Sequence, residues 1–97
     1  MFDTLHFKEV RKGHFQARHQ FGDYELSVIL ESNKTKYEAA VFQDGKFIQL
    51  PGIHPDYYED FCDDVIPGLS PVEVDSIMKK LNFLGFISNK KENENVL

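Results

Sequence analysis

A chain of 97 residues with 16 acidic and 11 basic side chains carries a formal charge of −5. That length makes one domain, and that charge excludes the lysine- and arginine-rich surface on which general nucleic-acid binding depends. A hydrophobic share of 41%, with nine Phe and four Tyr, supplies a packed core and excludes a disordered chain.

The first half of the chain alternates. The stretch LHFKEV (5–10) offers a first strand before Gly13. In HFQARHQF (14–21), Phe15, Ala17, His19 and Phe21 fall on one face, and His14, Gln16, Arg18 and Gln20 on the other. In YELSVIL (24–30), Tyr24, Leu26, Val28 and Leu30 share a face. In YEAAVF (37–42), Tyr37, Ala39 and Val41 do. A period of two is the pattern of half-buried antiparallel strands. Gly22-Asp23 and SNKT (32–35) separate these runs. Asp44-Gly45 precedes KFIQL and predicts a type I′ hairpin, because both central residues must accept positive φ. The expectation is a meander of four or five strands.

The segment 50–68, LPGIHPDYYEDFCDDVIPG, is punctuated by three prolines and two glycines and reads mostly as loop, with room for a short helix near Asp56. A helix follows. Ser70 is its N-cap, Pro71 its first residue, and Glu73 completes a capping box. Leu69 and Val74 form a hydrophobic staple, Lys79 and Lys80 lie towards the negative end of the dipole, and Gly85 fits the C′ position. Val74, Ile77, Met78, Leu81 and Leu84 make one apolar stripe. A helix of about four turns is not stable alone, so this stripe packs on the meander. The sequence therefore predicts an α+β fold, with one C-terminal helix on a face of an antiparallel sheet. Residues 1–87 are the single domain, and 88–97, SNKKENENVL, a disordered polar tail.

Charge is unevenly spread. Residues 1–20 hold Lys8, Arg11, Lys12 and Arg18 against Asp3 and Glu9. From Phe47 to Met78 there is no Lys or Arg, while Asp56, Glu59, Asp60, Asp63, Asp64, Glu73 and Asp75 accumulate. The single cysteine, Cys62, cannot form an internal disulfide, so nothing calls for an oxidising compartment. No run approaches the ~18 apolar residues of a membrane span, and the opening MFDTLHFKEV lacks the layout of a signal peptide. The expectation is a cytoplasmic protein without membrane contact.

The residues offer little chemistry. His6, His14, His19 and His54 fit no common zinc spacing, and His14 and His19 point to opposite faces of one strand. Cys62 lies among Asp60, Asp63 and Asp64, whose charges make a thiol a poor nucleophile. The acids lack the order of a calcium loop, and no sugar-cleaving pair of carboxylates is suggested. No phosphate-binding, dinucleotide, nucleophile-elbow or C-x-x-C motif occurs. No enzyme activity, metal or cofactor is expected.

Tyr57, Tyr58 and Phe61 are interleaved with the acids. Aromatic rings favour the centre of an interface and carboxylates match a basic rim, although aromatics in a loop also fold back to cover a sheet. The interface reading is the one that supplies a function. It makes Asp56, Tyr57, Tyr58, Glu59, Asp60, Phe61, Asp63 and Asp64 a partner-binding surface.

Across residues 24–84 the chain resembles a group of small proteins encoded by phages and prophages of Gram-positive bacteria. The likeness rests on Leu26-Ser27-Val28, on Tyr37-Glu38-Ala39-Ala40-Val41 with the hairpin after it, and on Asp64-Val65-Ile66 leading through Glu73-Val74 into the last helix. Pro67-Gly68-Leu69 stands where Gly-Tyr-Leu is usual in that group, and the acidic loop is longer. The resemblance implies an accessory protein in a bacterial cytoplasm and carries no activity with it. The expected function is non-catalytic binding of a host or phage protein. The alternative is an acidic mimic of nucleic acid that inhibits a DNA- or RNA-binding host enzyme, and a homodimer through an exposed strand edge is a further possibility.

Overall fold

The computed structural model describes residues 1–55 and 64–95, with side chains as far as Ser88. The described residues form a 3-10 turn, Phe2–Thr4, then strands β1 (Lys8–Arg11), β2 (His14–Phe21), β3 (Tyr24–Leu30), β4 (Tyr37–Gln43), β5 (Lys46–Ile48) and β6 (Val65–Leu69), and helix α1 (Pro71–Asn95). All six strands belong to one antiparallel sheet. Strands β1 to β5 follow one another in space, and β6 pairs with β4. The fold is α+β.

The hairpins form where the turn residues demand them. Asp44 (φ 53°) and Gly45 (φ 76°) both take the positive φ of a I′ turn. The far edge of β4 is divided between two partners. Val41, Phe42 and Gln43 pair with β5, and Tyr37, Ala39 and Ala40 pair with β6.

Strand β6 takes up the end of the segment 50–68, where the sequence predicts loop, and the short helix expected near Asp56 lies outside the described residues. Between the pairs Tyr37–Leu69 and Ala39–Ile66, β4 advances two residues and β6 three. The extra residue is a bulge at Pro67-Gly68, with Gly68 at φ 70°. Proline has no N–H to give a ladder, so it is tolerated only at an edge or a bulge, and here it has both. The opposite edge, β1, is fully exposed, carries Lys8 and Arg11, and bulges between Glu9 and Arg11. The charges of β1 and the bulges in β1 and β6 are features that discourage edge-to-edge pairing.

The core lies between one sheet face and α1. Ala17, Phe21, Leu26, Val28, Ala39, Val41, Ile66 and Leu69 come from the sheet and meet Val74, Ile77, Met78 and Leu81 of the helix. Leu26, Val28, Val41, Val74, Met78 and Leu81 are fully buried. Each such side chain contributes about 1.5–3 kcal/mol of transfer free energy. The helix starts as its sequence requires. Ser70 Oγ accepts the Glu73 N–H at 3.2 Å, and Glu73 Oε1 accepts the Ser70 N–H at 3.0 Å.

Its end does not follow the expectation. Gly85 is not a C′ residue, because α1 runs through it to Asn95. The glycine serves packing instead: a Cβ there would stand 2.6 Å from the carbonyl oxygen of Phe21. The polar tail expected from Ser88 overlaps the last turns of α1, whose side chains past Ser88 lie outside the described residues. Among the described residues no helix is long and apolar enough to cross a membrane.

Candidate functional site

Seven of the eight residues expected to bind a partner, Asp56, Tyr57, Tyr58, Glu59, Asp60, Phe61 and Asp63, lie outside the described residues, as does Cys62. Asp64 is described. It is half-buried just before β6, and one carboxylate oxygen accepts from Gln49 Nε2 at 3.0 Å. Its backbone carbonyl faces the ring of His54 at 3.3 Å.

His54 is the structural centre of this region. The turn before it is closed by the Leu50 carbonyl, which accepts the N–H groups of Ile53 (3.2 Å) and His54 (2.9 Å). The Leu50 N–H then donates to His54 Nδ1 at 2.9 Å. An N–H donating to Nδ1 requires that nitrogen to be bare, so the ring carries its hydrogen on Nε2 and gives it to the Asp64 carbonyl. The side chain is 3% exposed and both its nitrogens are engaged. A histidine with no free nitrogen cannot serve as a general base without breaking one of these bonds.

The same ring borders an open hollow of about 440 Å³ between α1 and the 52–55 turn. Ile53, Ile66, Leu69 and Ile77 supply apolar walls, and Glu73 and Lys80 stand among the lining residues. Neither charge is idle. Glu73 closes the helix cap, and Lys80 Nζ donates to the Gly52 carbonyl at 2.7 Å. The cap hydrogen bond from the Ser70 N–H holds the Glu73 carboxyl below its ordinary range. Asp75, just beyond it on the helix, is held down to about 2. The Lys79 ammonium is the first cause, and the Phe2 N–H and the Met1 amine add to it. Both carboxylates are pinned in their charged form, which suits them to holding structure.

The opposite sheet face carries a second hollow, of about 270 Å³, and among the described residues no helix covers it. Its geometry follows from strand register. One cross-strand row reads Gln16–Ile29–Glu38, the next Arg18–Ser27–Ala40–Val65, and the third Glu25–Phe42–Phe47. Ser27 and Ala40 in the middle row are small, so they form a floor. Ile29 and Glu38 wall one side, and Phe42 and Phe47 the other. The two phenyl rings stand 4.5 Å apart at 39°, and Phe47 is 51% exposed. Arg18 lies 5.8 Å over the Phe42 ring and pairs with Glu25, while Gln16 Nε2 donates to Ser27 Oγ at 2.8 Å. The result is an apolar trough with a polar rim.

This trough was not among the candidate sites read from the sequence. Its signal is nevertheless in the residues, since SVIL and AAVF place Ile29, Ala40 and Phe42 at positions that alternation assigns to solvent. The other histidines do not gather. His19 stacks on Phe21 at 4.6 Å, and no group of three or more potential metal ligands occurs among the described residues. No protein family matches the chain, and no curated protein or solved structure matches it either.

Proposed function

We propose that this chain is a non-catalytic protein-binding module, an accessory protein of phage or prophage type that engages a host or phage protein in a bacterial cytoplasm. The observation that carries the reading is Phe47, half exposed beside an apolar trough on the sheet face that α1 leaves open. A concave apolar patch with a polar rim and a projecting aromatic ring is the arrangement of an interface centre. The acid–aromatic stretch Asp56–Asp64 is joined to it directly, because Val65, the next residue, lines the trough. On this reading Tyr57, Tyr58 and Phe61 extend the apolar contact, and the acids beside them answer a basic rim on the partner.

The test is affinity capture of the tagged protein from a Gram-positive host lysate, alongside a Phe47→Ser variant whose circular dichroism and melting temperature match the parent. One dominant protein retained at moderate salt by the parent and absent with Phe47→Ser is the expected result. Equal retention by both overturns the trough as the contact. Retention of nucleic-acid enzymes that vanishes at moderate salt favours the acidic mimic instead.

A further inference from the structure

We infer that the groove between α1 and the turn at 51–55 is a second docking surface, and that it takes an acidic, apolar segment of a partner protein. It lies on the helix side of the sheet, away from the trough. It rests on no part of the trough reading.

Two hollows make up the groove. The one of about 440 Å³ beside His54 adjoins another of about 450 Å³ further along α1. Gly52, Ile53 and Lys80 border both. Ile66, Leu69 and Ile77 wall the first, and Pro51, Phe83 and Leu84 the second. Along the helix the lining runs from Glu73 to Leu84, about 16 Å at the helical rise. That length matches about three helical turns or five extended residues of a partner. Phe83 is 63% exposed, so a large ring stands uncovered at the edge of the second hollow.

Charge decides what can lie there. Lys80 stands where the two hollows meet. Its ammonium donates to the Gly52 carbonyl, which fixes its place and leaves its charge unneutralised. Among the described residues no carboxylate pairs with it. The carbonyl takes one of three ammonium hydrogens. Lys79 also borders the second hollow, with Asp75 beside it at 3.0 Å. From Ser76 to Lys91 the sequence holds four lysines and no acid, in a chain of net charge −5. Glu73, held charged by the helix cap, borders the far end of the first hollow. The groove is therefore negative at its Glu73 end and positive from Lys79 onward.

A cation between two apolar hollows selects its occupant. An uncharged apolar segment would cover the Lys80 ammonium and leave it unpaired, which is unfavourable. A basic segment would add repulsion. A segment with a carboxylate between two apolar side chains fills both hollows and gives Lys80 a charge-assisted partner. The helical residues that line the two hollows are centred roughly 7–8 Å apart, so the two apolar side chains sit about one helical turn apart. An anionic lipid surface would meet the Phe83 ring and the lysines but would not fill the recess beside the turn.

Titration of the ¹⁵N-labelled full chain tests this. The probe is a short blocked peptide of Glu with Leu or Phe at every third or fourth position, and the control is its twin with each Glu replaced by Lys. The acidic peptide should shift the amides of Gly52, Ile53 and residues 77–84, and leave those of Ser27 and Ala40 in place. It should bind at least about tenfold more tightly than its twin, and less tightly as salt rises. Lys80→Gln should weaken it about fivefold. Phe83→Ser should weaken it by a factor that salt does not change. Both side chains are exposed, so each variant should keep the parent's spectrum away from the groove. Equal affinity for the two peptides overturns the inference, as does binding to Lys80→Gln as tight as to the parent. Shifts confined to the trough face, or none up to about 5 mM peptide, overturn it too. So do vesicles of anionic lipid that shift the groove residues when the acidic peptide does not. A trough that fails its own test leaves these shifts unaffected, so the two readings fail separately.

Discussion

Gly22 and Gly85 lie in backbone contact: a Cβ on Gly22 would stand 2.8 Å from the Cα of Gly85, and one on Gly85 would stand 2.6 Å from the Phe21 carbonyl oxygen. The β2–β3 turn and the middle of α1 meet here without side chains between them. Ser88 Oγ donates to the Asp23 carboxylate one turn further along, so the helix grips the turn twice. This approach sets how closely the C-terminal part of α1 lies on the sheet.

Gly85→Ala places two opposing effects in one residue. Alanine favours a helix interior by about 1 kcal/mol over glycine. Against that, the added methyl meets backbone atoms of Phe21 at 2.6 and 2.7 Å, which cannot rotate away. Overpacking of this kind costs about 1–3 kcal/mol, and the rigid partner places it at the upper end. The net expectation is a loss of about 1–2 kcal/mol, read as a lower urea midpoint at unchanged slope. A midpoint equal to the parent's or higher would show that helix and turn separate freely, contrary to their close backbone approach.

The helix start was legible in full because a cap is local. Ser70, Pro71 and Glu73 signal it within four residues, and its two hydrogen bonds form as expected. The sheet was legible where alternation is clean, as in Leu26 and Val28 facing the core. Errors arose where a distant partner decides. Gly85 carries the same local signal whether it ends a helix or admits a turn, and only Phe21 and Gly22 distinguish the two. Pro67-Gly68 reads as loop until β4 supplies an edge on which a bulge is tolerated. The bond from the His54 ring to the Asp64 carbonyl was invisible for the same reason, since nothing local joins the two residues. The trough is different. Ile29, Ala40 and Phe42 were visible on the side assigned to solvent, and the strand register that gathers them was not.

Ser70→Ala removes the acceptor for the Glu73 N–H and leaves a first-turn donor to water. The expected loss is about 1 kcal/mol, the usual cost of deleting a side-chain cap. Thermal unfolding measures it. Ser70→Asp, which restores an acceptor and adds a favourable charge at the helix start, should recover most of the loss. A Ser70→Ala protein that melts with the parent would mean that the cap does not contribute.

Acid should weaken the contact between the chain start and α1 through Asp75. Its folded carboxyl titrates at about 2, below the ordinary Asp value of about 3.9. A depressed folded value means that the stabilisation is fully present above the unfolded value and is lost as pH falls through the folded one. The window therefore runs from about pH 4 down to about pH 2. Asp75→Asn keeps the shape but not the charge that binds Lys79 and the Phe2 N–H. In urea titrations at a series of pH values, the parent should lose stability through this window more steeply than Asp75→Asn. Parallel curves would exclude Asp75 as a source of acid sensitivity.

The trough gives a prediction that separates contact from fold. Ala40 is 8% exposed and forms the floor with Ser27. Ala40→Leu adds three carbons pointing away from the core, into space that no described side chain fills. Stability should stay within about 0.5 kcal/mol of the parent, because nothing in the core face is disturbed. Binding to whatever protein the parent captures should fall at least about tenfold, since a filled pocket excludes an anchoring side chain. Charge reversal of Asp64 in the same assay is the control for the acidic stretch. It should reduce binding in a salt-dependent way, whereas the loss in Ala40→Leu should not depend on salt. Capture unchanged by Ala40→Leu, in a protein that folds as the parent does, would move the contact off this face of the sheet.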